Sequence, residues 1–197
     1  MGFFKKKSTI IIFAVVAAVV IITISLVAAV AGSYNGFVES EQTVEKYHSD
    51  ISVQLKRRAD LIPNFVETVK GYSDYEQETF TAVTNARAAL KNASGVEEES
   101  AAAAQLDAAI DVWVNAVTEA YPELKANENY IALQDELAGT ENRIAKARRD
   151  YNEAVKEYNS KIKRFPSNII AGMFNFDEAE YFEIDPADAE NPQVSFD

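Results

Sequence analysis

Residues Ile10 to Ala31 form one apolar run interrupted only by Thr23 and Ser25, with Lys5, Lys6 and Lys7 at its N-terminal edge. At ~1.5 Å per residue, its roughly 22 positions reach about 33 Å, enough to cross a ~30 Å hydrocarbon core. The lipid bilayer is thus the first expected partner, through residues 10–31. The three lysines precede the run, and between it and Lys46 lie only Glu39, Glu41 and Glu45 among the charged residues. The positive-inside rule then predicts a cytoplasmic N-terminus and an extracytoplasmic C-terminal domain. A cleaved signal peptide is the rival reading, because Ala29-Val30-Ala31 fits a small-x-small site. An h-region runs only ~7–15 residues, however, and the greater length favours an uncleaved anchor.

All 31 acidic residues and all but three of the 19 basic ones lie beyond Gly32, so that part is more acidic than the whole-chain charge of −12. Such a surface repels nucleic acid and anionic headgroups, and no nucleic-acid partner is expected. The sequence contains no cysteine, which excludes disulfides, a lipid-modified Cys anchor and thiolate chemistry.

From Phe37 the apolar residues step by fours and threes through Val44, Ile51, Leu55, Ile62, Phe65, Val69 and Tyr72, with Glu41, His48 and Arg58 filling the remaining seam positions. A second run opens at Asn127, a suitable N-cap, and reads Leu137, Ile144, Tyr151, Val155, Tyr158, Ile162 and Phe165, with Glu141 and Arg148 in the gaps. Sustained heptads predict two long helices packed at a shallow angle. Between them, one shorter helix is expected from about Ser73 to Asn92, closed by Ala93-Ser94-Gly95. Another runs from Glu97-Glu98-Glu99 through the alanines 101–104 to Tyr121-Pro122. Leu106, Ile110, Trp113 and Val117 give that second stretch an apolar face, so the alanines read as close-packed helix rather than linker.

The expected fold is all-α: an N-terminal transmembrane helix, then an elongated antiparallel bundle of two long outer and two shorter middle helices, then an irregular C-terminal segment. The corresponding boundaries are a basic N-terminus 1–9, the span 10–31, the bundle 32–165, and a segment 166–197 that packs on the bundle before an acidic extended tail from Asp185. Pro63 falls inside the first long helix and is expected to kink it, the alternative being a break with Pro63 opening a separate helix.

No enzymatic chemistry is legible, and no cofactor or metal is expected. Glu45-x-x-His48 matches half of a di-iron bundle site, but the sequence has no second histidine to complete it. The acids Glu97 to Glu99 read as a solvated helix start. The sharper signal is the polar seam: Arg58, Asp60, Glu141, Arg148 and Asn152. If the long helices pair antiparallel in register, Arg58 meets Glu141, with Arg148 nearby and sharing partners such as Asp60 or Asn152. The residues leave two roles open for such a network, fixing register or forming a polar partner-binding pocket, with register favoured.

The stretch Gln54 to Tyr72, Tyr121-Pro122-Glu123-Leu124-Lys125-Ala126-Asn127, Glu141-Asn142-Arg143-Ile144-Ala145 and Ala147-Arg148-Arg149-Asp150-Tyr151-Asn152 form ordered motifs. With Tyr34-Asn35, Tyr158-Asn159 and Phe165-Pro166, they resemble the LemA family of bacterial membrane proteins. The resemblance implies a transmembrane segment and a helical bundle, and no agreed biochemical activity. Some members carry a lipid-attachment Cys before the Tyr-Asn pair, where this chain has Gly32-Ser33. The leading expectation is a non-enzymatic scaffold or interaction module of the cell envelope with an unknown protein partner. The alternative, since the resemblance extends to proteins that organise internal membranes, is a membrane-organising protein acting through lateral self-association.

Overall fold

The heptad positions become the buried faces of two long helices. The computed structural model describes residues 2–70 and 77–182, with side chains from 12 to 69 and from 80 to 182. All regular elements among them are helical: α1 (Gly2–Lys70), α2 (Gln77–Asn92), α3 (Val96–Ala120), a 3-10 turn (Pro122–Ala126), α4 (Glu128–Lys163) and α5 (Ser167–Met173). Tyr72, the expected start of α2 at Ser73, and the tail from Asp185 lie outside the described residues.

The apolar span and the first heptad run are one continuous helix, α1. Its positions Phe37, Val44, Ile51, Leu55, Ile62, Phe65 and Val69 are all buried, as are Leu137, Ile144, Tyr151, Val155, Tyr158 and Ile162 of α4. Phe165 departs from the expectation: it is 81% exposed. Pro166 cannot continue the hydrogen-bond ladder, α4 stops at Lys163, and the heptad register therefore ends one step earlier, at Ile162.

The chain divides into two units, one of residues 1–42 and 157–178, the other of 43–156 and 179 onward. In the larger unit, Arg57 meets Glu136 and Phe65 meets Tyr130, so α1 and α4 run antiparallel. Ser52 meets Glu99 and Phe65 meets Trp113, so α1 and α3 run parallel. Ala102 and Ala103 are buried while Ala101 and Ala104 are exposed, one face of an alanine run packed as helix. Tyr130 is fully buried, and its hydroxyl is satisfied by Thr118 Oγ1 at 2.8 Å and by Gln134 Nε2 at 3.2 Å.

The connections follow from local chemistry. Gly95, at φ 83°, takes a left-handed conformation that favours glycine, and Glu98 accepts a hydrogen bond from the Ser94 N–H at 3.0 Å. Asn127 Oδ1 accepts the Tyr130 N–H at 3.0 Å, capping α4.

In the smaller unit, Ser40 of α1 accepts a hydrogen bond from Lys161 of α4. The C-terminal segment, expected to be irregular, starts there as the helix α5. It ends in a Schellman turn, with Asn175 at φ 57° and the Phe176 N–H donating to Ala171 O at 3.0 Å. Tyr34 and Phe37 of α1 pack edge-on against Phe176, with centroids 5.5 and 5.2 Å away, and the Tyr158 hydroxyl donates to Asp177 O at 2.9 Å. Burial above all, then Glu41 and Asp177, raises the Tyr158 pKa and keeps that hydroxyl a donor.

Helix α1 passes through Pro63 without a break, which excludes a separate helix opening there. Pro63 has no N–H to offer the Ala59 carbonyl one turn earlier. Arg87 of α2 fills that role: its Nε–H donates to Ala59 O at 2.7 Å, while its Nη2 lies 3.7 Å from Asp60. An unsatisfied buried acceptor costs about 1–3 kcal/mol. Arg87→Ala should therefore destabilise by that amount in urea unfolding, and by less than half as much beside Pro63→Ala, which restores a helical donor. Equal losses in the two backgrounds would contradict the assignment.

Candidate functional site: a buried charge cluster and its clasp

The polar seam positions of α1 and α4 converge with a carboxylate from α3. Arg58 and Arg148 are only 5% and 7% exposed. Arg58 Nη1 lies 2.8 Å from Asp107 Oδ1 and also forms an ion pair with Glu141. Arg148 Nη2 donates to the other Asp107 oxygen at 3.5 Å. Asp107 thus bridges two guanidiniums, and the cluster of four charges is neutral.

The expectation that Arg148 would share Asp60 or Asn152 is corrected: Asp60 faces Arg87, Asn152 holds backbone near the C-terminus, and the shared acid is Asp107. Spacing carried a signal for it, because Asp107 is four residues after Ala103 and three before Ile110, on the apolar face of α3. Glu99 is four before Ala103 on the same face. It is not solvated but lies 3.2 Å from His48 Nε2 and accepts the Ser52 hydroxyl at 2.9 Å.

Desolvation governs the cluster. Burial pushes the Asp107 carboxyl above its usual range, against the pull of Arg58 and Arg148, and burial lowers the Arg58 pKa, against the pull of Asp107. Folded Asp107 therefore holds its proton more tightly than unfolded Asp. Its own contribution to stability is largest at low pH and shrinks as pH rises through the folded value. The Nε atoms of Arg58 and Arg148 are buried without a protein hydrogen-bond acceptor, a further cost of placing two arginines at this level.

The chemistry of His48, Ser52 and Glu99 is positional. In a nucleophilic triad the imidazole stands between hydroxyl and acid. Here the carboxylate stands between them: the Ser52 hydroxyl has Glu99 and the His48 carbonyl, 3.2 Å away, as its acceptors, and His48 Nε2 faces Glu99 rather than the hydroxyl. A neighbouring cleft of about 320 Å³ is lined by Ser52, Lys56, Ala59, Leu90, Lys91 and Glu99. No group of three or more His, Asp or Glu among the described residues could hold a metal ion.

The motif Arg148-Arg149-Asp150-Tyr151-Asn152 clasps the returning chain. Asn152 acts as a one-residue strand: its Nδ2 donates to Phe182 O at 3.0 Å, and its Oδ1 accepts the Phe182 N–H at 2.9 Å. The Tyr151 hydroxyl donates to Glu180 O at 2.8 Å, and the Arg148 guanidinium lies over the buried Phe182 ring, 5.4 Å from its centroid. One turn of α4 therefore joins the charge cluster to residues 180–182. Burial, with smaller effects of Glu180 and Glu99, pushes the Tyr151 pKa up to about 12.

These features define a membrane-associated helical-bundle protein: a helix apolar and long enough to cross a bilayer, joined to helices locked by buried charge. The chain belongs to the LemA family, whose sequence profile matches residues 47–196. It is 27% identical over 171 residues to Protein LemA of Metamycoplasma hominis, covering 81% of this chain and 77% of that protein. It is also similar to magnetosome protein MamQ 2 of Paramagnetospirillum magneticum, 25% identical over 196 residues, and to MamQ of Magnetospirillum gryphiswaldense, 23% over 189. Both matches cover 83% of this chain and 70% of the relative.

Two outcomes are expected. Arg58→Ala should cost about 1.5–3 kcal/mol in chemical unfolding, the range for hydrogen bonds to charged groups, because it takes the guanidinium from Asp107 and from the partly exposed Glu141. Arg58→Met with Glu141→Leu should recover much of that, since Asp107 and Arg148 remain a matched pair; a double mutant as weak as the single one would refute the pairing. For Tyr151, unfolded tyrosine titrates near ~10. Its hydroxyl should thus add stability below that pH and lose it between ~10 and about 12, a loss that Tyr151→Phe lacks in unfolding measured against pH.

Proposed function

We propose that this protein is a membrane-anchored, non-enzymatic scaffold of the bacterial cell envelope that presents its acidic helical bundle to a protein partner. The observation that carries this reading is how the motif residues are used. Arg58, Arg148, Tyr151 and Asn152 hold helices and returning chain together, and none is left facing a cleft with a reactive partner. The surface that remains for recognition is acidic, with isolated apolar side chains such as Val53 on α1, Val112 on α3 and Ile131 on α4. Complementary charge on a basic partner would speed encounter and set orientation. The lysine asymmetry across the span supports an extracytoplasmic bundle with the N-terminus inside.

Lateral self-association that organises the membrane is the second reading, favoured by the likeness to magnetosome proteins. An acidic bundle repels anionic lipid, so shaping would come from contacts between copies rather than from wrapping the bilayer. Photo-crosslinking residues placed at positions 53, 112 and 131 in cells should capture one recurrent foreign protein from a single face. Adducts only with further copies of this chain would favour the second reading. No adduct from any position would contradict both.

A further inference from the structure

The smaller unit carries an apolar face that its own helices leave uncovered. Ile169 and Met173, four residues apart, form an open stripe along α5, and Phe165 lies just before the helix; they are 56%, 69% and 81% exposed. Ala171 on the same short helix is buried, so α5 is docked on one side and open on the other.

The position of Phe174 says what lies on the open side. Its ring packs edge-on against Tyr34 at 5.0 Å and borders an almost wholly apolar hollow of about 420 Å³ formed with Leu26, Val27, Val30 and Ala31. Those four belong to the last turns of the apolar run. The chain after α5 has therefore come back to the depth of residues inside the span. Ile22, Leu26 and Val27 are themselves exposed, side chains for which the bilayer is the solvent, and Leu26 and Val27 line the hollow with Phe174. Tyr34 sits at the end of the span, where an aromatic ring with a polar tip suits the interface. Lys163, ion-paired with Glu178 at 2.6 Å, and Arg164 immediately precede the stripe, cations on long stems that suit the phosphate level above buried apolar groups.

We propose that α5 and its flanks are a second membrane contact, with Phe165, Ile169, Met173 and Phe174 inserted at the acyl-chain boundary of the leaflet at the Ala31 end. Burial of such side chains in the interface is favourable in proportion to apolar area, as for interfacial helices. The contact would fix the smaller unit on the bilayer at two points, the span and α5. It rests on residues 10–31 crossing the membrane, and the experiment separates the two claims.

Because the chain lacks cysteine, single cysteines can be placed and spin-labelled without background. Full-length protein with Val27→Cys, Glu157→Cys, Ile169→Cys or Met173→Cys would be placed in phosphatidylcholine vesicles, and collisions with oxygen and with a water-soluble nickel chelate measured. Labels at 169 and 173 should follow Val27, losing nickel collisions and gaining oxygen collisions relative to Glu157. Nickel access equal to that at Glu157, with Val27 protected, would overturn the contact and leave the anchor standing. Protection at 169 and 173 accompanied by dipolar broadening between copies would overturn it in favour of a second chain as the occupant. An aqueous Val27 would remove the anchor and this proposal together.

Discussion

Two buried guanidiniums and the carboxylate between them constrain the rest of the bundle. Arg58 on α1, Asp107 on α3 and Arg148 on α4 can be neutralised only at one relative height of the three helices, with Glu141 completing the balance. Apolar heptads tolerate sliding, since leucine packs against isoleucine at many offsets. A stranded buried charge does not, because it costs ~3–5 kcal/mol. The cluster need not add net stability to select one register. It needs only to penalise every other, and the lowered Arg58 and raised Asp107 pKa values show that desolvation opposes both charges.

The same turn of α4 extends this constraint to the C-terminal segment. Arg148 faces Asp107 on one side and the Phe182 ring on the other, and Asn152, one turn later, grips the Phe182 backbone in both directions. A shift of α4 would break the charge balance and the clasp together. The motif residues of this turn thus hold α3, α4 and the returning chain in one arrangement.

What was legible in the sequence was what periodicity encodes. The heptad faces of α1 and α4, the turn at Gly95, the Asn127 cap and the packed face of α3 follow from spacing and turn chemistry alone. Asp107 and Glu99 did not stand out because acids on an alanine-rich helix look like solvated surface until their offsets from Ala103 and Ile110 are counted. Antiparallel register puts Asp60 and Asn152 near the level of Arg58 and Arg148, but α2 and the returning chain, both distant in sequence, claim them. Phe165 continued the heptad numerically, but Pro166 ends the helix before geometry can honour it. The demand that Pro63 places on Arg87 is a tertiary effect, since the arginine lies 28 residues away.

The most direct test of the register claim is native-state hydrogen exchange on the full-length protein carrying Asp107→Asn, which removes the shared charge and keeps the side-chain volume. The account predicts that amides around Arg58 in α1, around position 107 in α3 and around Arg148 in α4 lose protection together, and that the Phe182 amide follows them. Loss confined to α3, with α1, α4 and Phe182 exchanging as in the parent, would contradict it.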